Sequence, residues 1–401
     1  MAKTARRQAG DGALYQRADG MWIGSVDLGW TPEGKRRRKT VSSRSQQGAL
    51  AKLREVRRQV GLHGDVPTAS LTLDAWLTRW LEEIAAKRVR PRTLDTYRHK
   101  VDLIKAASGK VRLDKMTPAN VRAVHRLCED RGLSTTTALQ AHAILSKALT
   151  DAMREGLVVR NVATLVDRPR KAASDRGALT VEQAIALLRA NQDDPMVSRW
   201  AFALTTGARQ GETLGLRWAH VHNDGIDLAW QLQALSWRHG CHEAKPEHSP
   251  RTCPARHLGV PSHLEHDILV GQLVLTRPKT KAGIRFLPMV PIVKEALKHR
   301  ATVAPENPYD LVWTEGTKPW SPTRDSAAWH AALKTAELPP VPLHAARHTA
   351  ATLLLEAGVD TKVATQILGH SDVLVTRGYQ HGDRRLVKDA LERVSRMLTD
   401  G

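Results

Sequence analysis

The spacing of apolar residues changes along the 401-residue chain, and these changes constrain the fold more than any other feature. Apolar and polar residues alternate over residues 12–32, with interruptions at Asp19-Gly20 and Pro32-Glu33-Gly34, which predicts short strands joined by turns. A basic run then leads into a third strand, and residues 45–60 have helical spacing. Because the stretch GLHGDVPTAS is typical of a linker, we expect a small sheet-and-helix domain over residues 1–66.

From Leu71 to about residue 167 the spacing becomes helical. The segment LTLDAWLTRWLEEIAA places four large apolar residues on one helical face: Leu73, Trp76, Leu77 and Trp80. Thr117-Pro118 is typical of a helix start, and Gly132 of the stop of the same helix. We expect a helical domain of about four helices over residues 67–172. A charged linker then leads into a third domain, residues 173–401, whose first helix begins at Thr180.

The chain is strongly basic, since 61 Lys and Arg oppose 41 Asp and Glu for a formal net charge of +20. An excess of this size predicts a polyanionic partner, and DNA is the first candidate because contacts to its phosphates release counterions. Two basic clusters are candidate DNA contacts, although such runs are also typical of a solvated face. Their members are Lys35, Arg36, Arg37, Arg38 and Lys39 in the first domain, and Arg88, Arg90 and Arg92 in the second.

Other classes of protein are disfavoured by what the composition lacks. No run of about 18 apolar residues occurs, and the N-terminal MAKTARRQAG has no hydrophobic segment behind its charges, so we expect a cytoplasmic protein without a membrane partner. Cys128, Cys241 and Cys253 are too few and too scattered for a disulfide framework, and we expect them to be reduced.

Two segments of the third domain repeat one pattern of charged residues. In TTGARQGETLGLRW a helix is expected after Gly207, which places Arg209 and Glu212 one turn apart on the same face. Taken alone, this pair is also typical of an exposed ion pair. In LHAARHTAATLLLEAG, however, His344 and Arg347 show the same spacing at the start of an apolar helix.

Three further polar residues follow the same order along the domain. Two strand-like runs flank Lys279-Thr280-Lys281-Ala282-Gly283, which predicts a hairpin with lysines at its tip. His370 follows the helix stop Gly369, and Tyr379 falls in a later helix that Ser371 could cap. Tyr379 is one of only four tyrosines and has polar neighbours, so a core position is not expected for it.

The order Arg, Lys, His-x-x-Arg, His, Tyr resembles the active site of the tyrosine recombinases, in particular the phage and mobile-element integrases. The resemblance rests on TGARQGETLGLRW, PKTKAGIRFLPM, HAARHTAATLLLEAGVD and LGHSDVLVTRGYQH. It implies an α+β multidomain protein with a small β-sheet/helix arm-binding domain, a helical core-binding domain, and a mostly helical catalytic domain with a small antiparallel sheet. Ala345-Ala346 departs from the family, which often has an acidic residue and a leucine there.

The resemblance also implies a function. The chain would be a site-specific DNA recombinase that integrates or excises a mobile element through a covalent 3′-phosphotyrosyl intermediate. It would act without a metal or cofactor, as a tetramer on double-stranded DNA attachment sites, with a directionality factor as a further candidate partner. The alternatives are a noncatalytic DNA-binding regulator and a Xer-like resolvase on the same scaffold. The complete residue set favours the enzyme, and the additional N-terminal domain favours the integrase.

The chemistry of phosphodiester cleavage suggests a role for each residue. Arg209 and Arg347 would clamp the nonbridging oxygens by bidentate hydrogen bonds, and Tyr379 would be the nucleophile. Lys279, with Lys281 as the alternative, would protonate the leaving 5′-oxygen. His344 would be the general base and His370 a second proton or phosphate donor, while Glu212 would orient another active-site residue and His348 would be structural.

Residues 236–260 are an insertion with no counterpart in the family pattern, and their sequence is SWRHGCHEAKPEHSPRTCPARHLGV. It contains enough soft ligands for a tetrahedral zinc site, but it lacks paired C-x-x-C knuckles. A flexible polar loop is therefore the expected structure, and zinc is the alternative. The candidate ligands are Cys241, His242, Cys253 and His257, with His239 and His248 also in the stretch.

Overall fold

A computed structural model describes residues 13–30, 36–63, 71–172, 177–241, 248–278, 283–369 and 382–399. The chain forms two compact units, Met1–Ala173 and Ser174–Gly401. Within the described ranges, no helix combines the length and apolarity needed to cross a membrane. Helices predominate and the sheets are small and antiparallel, so the α+β multidomain fold is confirmed. The boundary expected near residue 66 stays a prediction.

The first unit begins with a three-stranded antiparallel sheet of β1 (Ala13–Gln16), β2 (Trp22–Trp30) and β3 (Arg36–Ser43). Helix α1 (Gln46–His63) packs on it, with Val26, Leu53 and Val56 as the buried core. The basic run does not precede the third strand as expected, because Arg36 to Lys39 form the first half of β3 itself. Strand β2 is long enough to pair with them, and the pairs include Asp27 with Arg38. The turn expected at Pro32-Glu33-Gly34 lies outside the described residues.

The helical block of the first unit has the expected four helices. They are α2 (Leu73–Arg79), which continues through the π-helical turn Trp80–Ala85 into α3 (Ala86–Arg88), then α4 (Pro91–Ser108), α5 (Pro118–Asp130) and α6 (Thr135–Arg154), with 3-10 turns at Leu113–Lys115 and Val162–Leu165. The predicted apolar face, from Leu73 to Trp80, is completely buried. Thr117 forms a capping box with Asn120 at the start of α5, and Gly132 follows its end with φ +63°.

The second unit contains eight helices among its described residues. They are α7 (Val181–Ala190), α8 (Val197–Thr206), α9 (Gln210–Leu214), α10 (Pro291–Val303), α11 (Pro322–Thr335), α12 (Ala345–Glu356), α13 (Thr361–Leu368) and α14 (Gly382–Thr399). Helix α8 is the centre of the core, since every residue from Ser198 to Thr206 is buried. Its Trp200 meets Trp329 of α11 edge to face, with ring centroids 5.4 Å apart.

The strands of the second unit form short antiparallel sheets. They are β4 (Gly225–Leu228), β5 (Gln231–Ala234), β6 (Trp237–Arg238), β7 (His257–Leu258), β8 (His266–Val270), β9 (Leu273–Thr276), β10 (Arg285–Pro288), β11 (Thr314–Glu315) and β12 (Lys318–Pro319), with a 3-10 turn at Trp218–His220 between α9 and β4. The expected hairpin around Lys279 was wrong, because its two flanking strands belong to different sheets. Strands β5 and β8 occupy both edges of β9, so β10 pairs with β4 instead.

Candidate active site

Arg209 is positioned by the sharp turn between α8 and α9. Gly207 ends α8 in the left-handed conformation, with φ +59°, and a Cβ there would lie 2.4 Å from Leu368 Cδ2. Arg209 is then the N-cap residue of α9, and its backbone N–H donates to Glu212 Oε2 at 2.9 Å. Its guanidinium also donates to Glu212 Oε1 at 2.7 Å, so these two residues form the contact that their spacing predicts.

Glu212 connects Arg209 to a third residue, which the sequence analysis missed. Arg285, the first residue of β10, donates from Nη2 to Glu212 Oε2 at 3.0 Å, and both side chains are buried. Burial raises the pKa of Glu212, but Arg285 and the hydrogen bonds from Arg209 outweigh burial and hold the pKa below its usual value. Glu212 is therefore a carboxylate at neutral pH. In the sequence, Arg285 is distinguished as the charged residue of the apolar run IRFLPM, which could have indicated a functional position.

Three arginines meet at the C-terminal end of α13, where Gly369 ends the helix with φ +66°. Each arginine donates to one of three consecutive carbonyl groups: Arg285 Nε to Ile367 at 2.8 Å, Arg347 Nη2 to Leu368, and Arg209 Nη2 to Gly369 at 3.0 Å. The last carbonyls of a helix have no intrahelical partner and carry partial negative charge, so cations are favourable there. The arginines thereby hold the residue that immediately precedes His370.

Arg347 is the most deeply placed of the three. It lies in the first turn of α12, is buried, and donates from Nη1 to the Gly207 carbonyl at 2.7 Å. Burial, together with the nearby charges of Arg209 and Arg285, lowers its pKa to about 10, so it remains cationic at neutral pH. Because three guanidinium groups face a single carboxylate, the site has excess positive charge and suits an anion.

A cleft of about 260 Å³ opens beside this cluster. Arg209, His344 and Arg347 all line it, and His344 is exposed at the start of α12. The His344 and His348 rings meet edge to face with centroids 5.0 Å apart, and Nε2 of His348 is buried without a hydrogen-bond partner among the described residues. The structure thus brings the neighbouring residues Arg209 and Glu212 together with His344 and Arg347, a second pair that lies far from the first in sequence.

Other predicted site residues lie outside the described part of the chain: Lys279, Lys281, His370 and Tyr379, together with Lys35 and His242. The described residues show what flanks these segments. Strand β9 ends at Thr276 before the lysines, and β10 begins after them with Arg285. Helix α13 leads through Gly369 to His370, and α14 begins at Gly382 after Tyr379.

The candidate DNA contacts of the first unit differ in their surroundings. On β3, Arg36 and Arg38 are exposed, while Arg37 and Lys39 are half-buried. Arg36 Nε donates to Asp27 Oδ2 at 2.7 Å, so part of its charge is compensated within the sheet.

The second basic cluster includes a residue with a structural partner. Arg88 pairs at 2.9 Å with Asp151, a buried carboxylate that also accepts from Trp80 Nε1 at 2.8 Å. Arg90 precedes α4, and burial lowers the pKa of its guanidinium, whereas Arg92 is exposed. Arg88 therefore stabilises the helical block whether or not it also contacts DNA.

The second unit thus combines a cluster of arginines and an adjacent cleft with a mostly helical domain, and known proteins share its fold. Residues 266–385 match the phage integrase family. The integrase of Saccharopolyspora erythraea is 28% identical, over 98% of both chains, and the integrase of Streptomyces ambofaciens is 34% identical, over 56% of this chain and 58% of that one. The fold matches a lambda integrase tetramer bound to a Holliday junction with a TM-score of 0.57 at 17% identity, over 92% of this chain and 98% of that one.

The chain is similar to the tyrosine recombinases and is a site-specific DNA recombinase. The resemblance seen in the four sequence motifs is therefore confirmed, and the noncatalytic alternative is not favoured.

Proposed function

We propose that this recombinase integrates or excises a mobile element through a covalent 3′-phosphotyrosyl intermediate on Tyr379. Four copies would act together on two double-stranded attachment sites in the cytoplasm, with a directionality factor as a candidate additional partner. The Holliday-junction tetramer of lambda integrase, whose fold this chain shares, supports the assembly.

The observation that carries the proposal is the convergence of Arg209 and Arg347 on the chain just before His370. Both guanidinium groups line the same cleft as His344, in a cluster with excess positive charge. A phosphodiester bound there would receive hydrogen bonds on its nonbridging oxygens, where charge develops in the transition state.

The proposed reaction then needs no external energy source. The phenol oxygen of Tyr379 attacks the phosphorus while its proton passes to a base, for which His344 is the candidate. The bond to the 5′-oxygen breaks, and that oxygen takes a proton from Lys279. The phosphotyrosyl ester retains the energy of the broken bond, so attack by the 5′-hydroxyl of a second strand completes the exchange.

The test is a suicide DNA substrate whose nick lets the cleaved strand diffuse away and trap the adduct. We expect the wild-type chain to give a protease-sensitive shifted band on a denaturing gel, and Tyr379→Phe to give none while DNA affinity is unchanged, because only one oxygen is removed. Tyr309→Phe, at a half-buried tyrosine of the same unit, is the matched control and should form the adduct normally. An adduct that persists in Tyr379→Phe, or that maps to Tyr15, Tyr97 or Tyr309, contradicts the proposal.

A further inference from the structure

Four soft-ligand side chains meet in the insertion of the second unit. Strands β6 and β7 pair antiparallel, with Arg238 opposite His257. His239 and Cys241 follow β6, whereas His248 and Cys253 precede β7. One ligand atom from each of these four residues lies within 4.8 Å of all the others.

The distances are close to those of a tetrahedral metal site. Cys241 Sγ lies 3.8 Å from His239 Nδ1 and 3.6 Å from His248 Nε2. With Zn–S bonds of about 2.3 Å and Zn–N bonds of about 2.0 Å, neighbouring ligands around a tetrahedral zinc are roughly 3.5 Å apart. The two distances from Cys241 Sγ are therefore close to those of a tetrahedral site, and the other ligand atoms lie within 4.8 Å of one another. Cys253 is fully buried and the other three residues are half-buried, so the group is largely shielded from water.

The surrounding backbone supports the four ligands. The backbone N–H groups of Gly240 and Cys241 donate to the Cys253 sulfur, an interaction that stabilises and orients a metal-bound thiolate. Gly240 packs so closely that a Cβ there would lie 2.1 Å from the Ala255 carbonyl oxygen. A turn in which the Arg256 N–H donates to the Cys253 carbonyl at 3.1 Å fixes the chain on the other side.

We propose that His239, Cys241, His248 and Cys253 bind one zinc ion. Two sulfur and two nitrogen ligands in a tetrahedral arrangement suit zinc, and two thiolates neutralise its charge. A site closed by four protein ligands leaves no position for a substrate, which makes the site structural. His257, which the sequence analysis named as a candidate ligand, lies on β7 and is not in the group. The candidate His242 lies outside the described residues.

The sheet places the insertion at the start of β9, whereas Lys279 follows the end of that strand in the sequence. Ala234, the last residue of β5, pairs with Leu273, the first of β9, whereas Gln231 pairs with Thr276. The insertion therefore leaves the sheet where β9 begins, and Lys279 follows the other end of β9. Four residues of strand separate these ends by roughly 10 Å. Zinc would stabilise the insertion and take no direct part in strand cleavage.

Counting metal in the full chain tests the proposal. The protein is prepared without an affinity tag, under reducing conditions with zinc, and passed over a desalting column before elemental mass spectrometry. We expect about one zinc per chain in the wild type, and almost none in the Cys241→Ser/Cys253→Ser double variant. The matched control is His257→Ala, which removes a neighbouring histidine and should keep its zinc. Cys128→Ser, which removes the cysteine of the other unit, should keep it as well.

Cobalt substitution keeps the test decisive if the double variant misfolds. Co²⁺ in the wild-type chain should give strong visible bands of a tetrahedral centre and a sulfur-to-cobalt charge-transfer band in the near ultraviolet. Cys241→His retains four ligands, so the tetrahedral bands should persist while the charge-transfer band weakens by about half, since one of two sulfurs is lost. Each of four results would overturn the proposal. They are a wild-type chain without zinc, an octahedral cobalt spectrum, a loss of zinc in His257→Ala as large as in the double variant, and a Cys241–Cys253 disulfide in the reduced preparation.

Discussion

At the scale of single residues, Arg209 and Arg347 reach the end of α13 from two different helices and donate to neighbouring carbonyl groups. Their difference in burial matters, because the Arg209 side chain is 40% exposed while Arg347 is buried. Arg209 can turn toward a bound phosphate with little desolvation, whereas Arg347 is already held in place by the core. The contact between Glu212 and Arg285 anchors α9 to β10, and we predict that both residues position Arg209.

We predict that Arg209→Ala leaves the fold and DNA affinity largely intact but slows strand cleavage by about a hundredfold or more, because one preorganised oxyanion donor typically contributes that much. Arg347→Ala should show the same loss of cleavage with an additional loss of stability, since two backbone carbonyls lose their donor. Single-turnover cleavage of a suicide substrate gives the rates. The control is Arg324→Ala, at an exposed arginine paired with Glu315. Near-normal cleavage by Arg209→Ala would remove it from the clamp.

At the scale of elements, helices α5 and α6 share a pair of histidines, of which His125 is half-buried and His142 is buried. His125 Nε2 lies 3.1 Å from His142 Nδ1, and His142 is almost completely buried. Burial lowers the pKa of both rings. The charge of Arg122 also lowers the pKa of His125, although Glu129 opposes this shift. The charge of Arg168 also lowers the pKa of His142. Both histidines are thus neutral in the folded helices at neutral pH and must gain protons against an unfavourable environment.

The sign of the resulting pH dependence follows from these lowered pKa values. The unfolded chain binds more protons as pH falls below the ordinary value of 6.5, so the contribution to stability is present above that pH and is lost below it. We predict that protection of the α5 and α6 amides, measured by hydrogen exchange in the full chain, falls between pH 7.5 and 5.5 after correction for intrinsic rates.

The matched variants separate this effect from general acid sensitivity. His125→Gln/His142→Gln should flatten the pH dependence of protection, because glutamine does not titrate in this range. His99→Gln, at an exposed histidine of α4, should leave the wild-type pH dependence unchanged. An equally steep loss of protection in the double glutamine variant would show that other groups cause it.

At the scale of the whole molecule, the N-terminal sheet and α1 have a core of their own. Val26, Leu53 and Val56 form that cluster, which is distinct from the apolar core of the helices that follow. If residues 1–66 bind accessory arm sites, their deletion should abolish recombination of full attachment sites while sparing cleavage of a short nicked core site. A paired Arg37→Ala/Arg38→Ala variant, which keeps the sheet, should weaken binding to arm-site DNA and make it less salt-dependent. Recombination that is unchanged by the deletion would make the basic strand a solvated surface.

The sequence by itself determined where several helices begin and end and the order of the chemical groups, because helix caps, stops and periodicity act within a few residues. Thr117 and Gly132 delimit α5 as predicted, and Gly369 ends α13 where expected. The spacing of Arg209 and Glu212 likewise predicted their contact, since an N-cap residue is a neighbour of the third residue of the helix that follows it.

Only the tertiary structure decided the contacts between distant segments. Arg285 pairs with Glu212 across 73 residues, and no local pattern encodes which carboxylate a strand arginine will meet. The same limit explains the incorrect hairpin, because β5 and β8 occupy both edges of β9 and leave none for β10. In the insertion, His239 and His248 join the two cysteines while His257 does not, since the pairing of β6 with β7 sets which side chains converge. Local sequence favours each helix or strand, but the tertiary structure determines which strands pair at a given sheet edge and which charged residues meet.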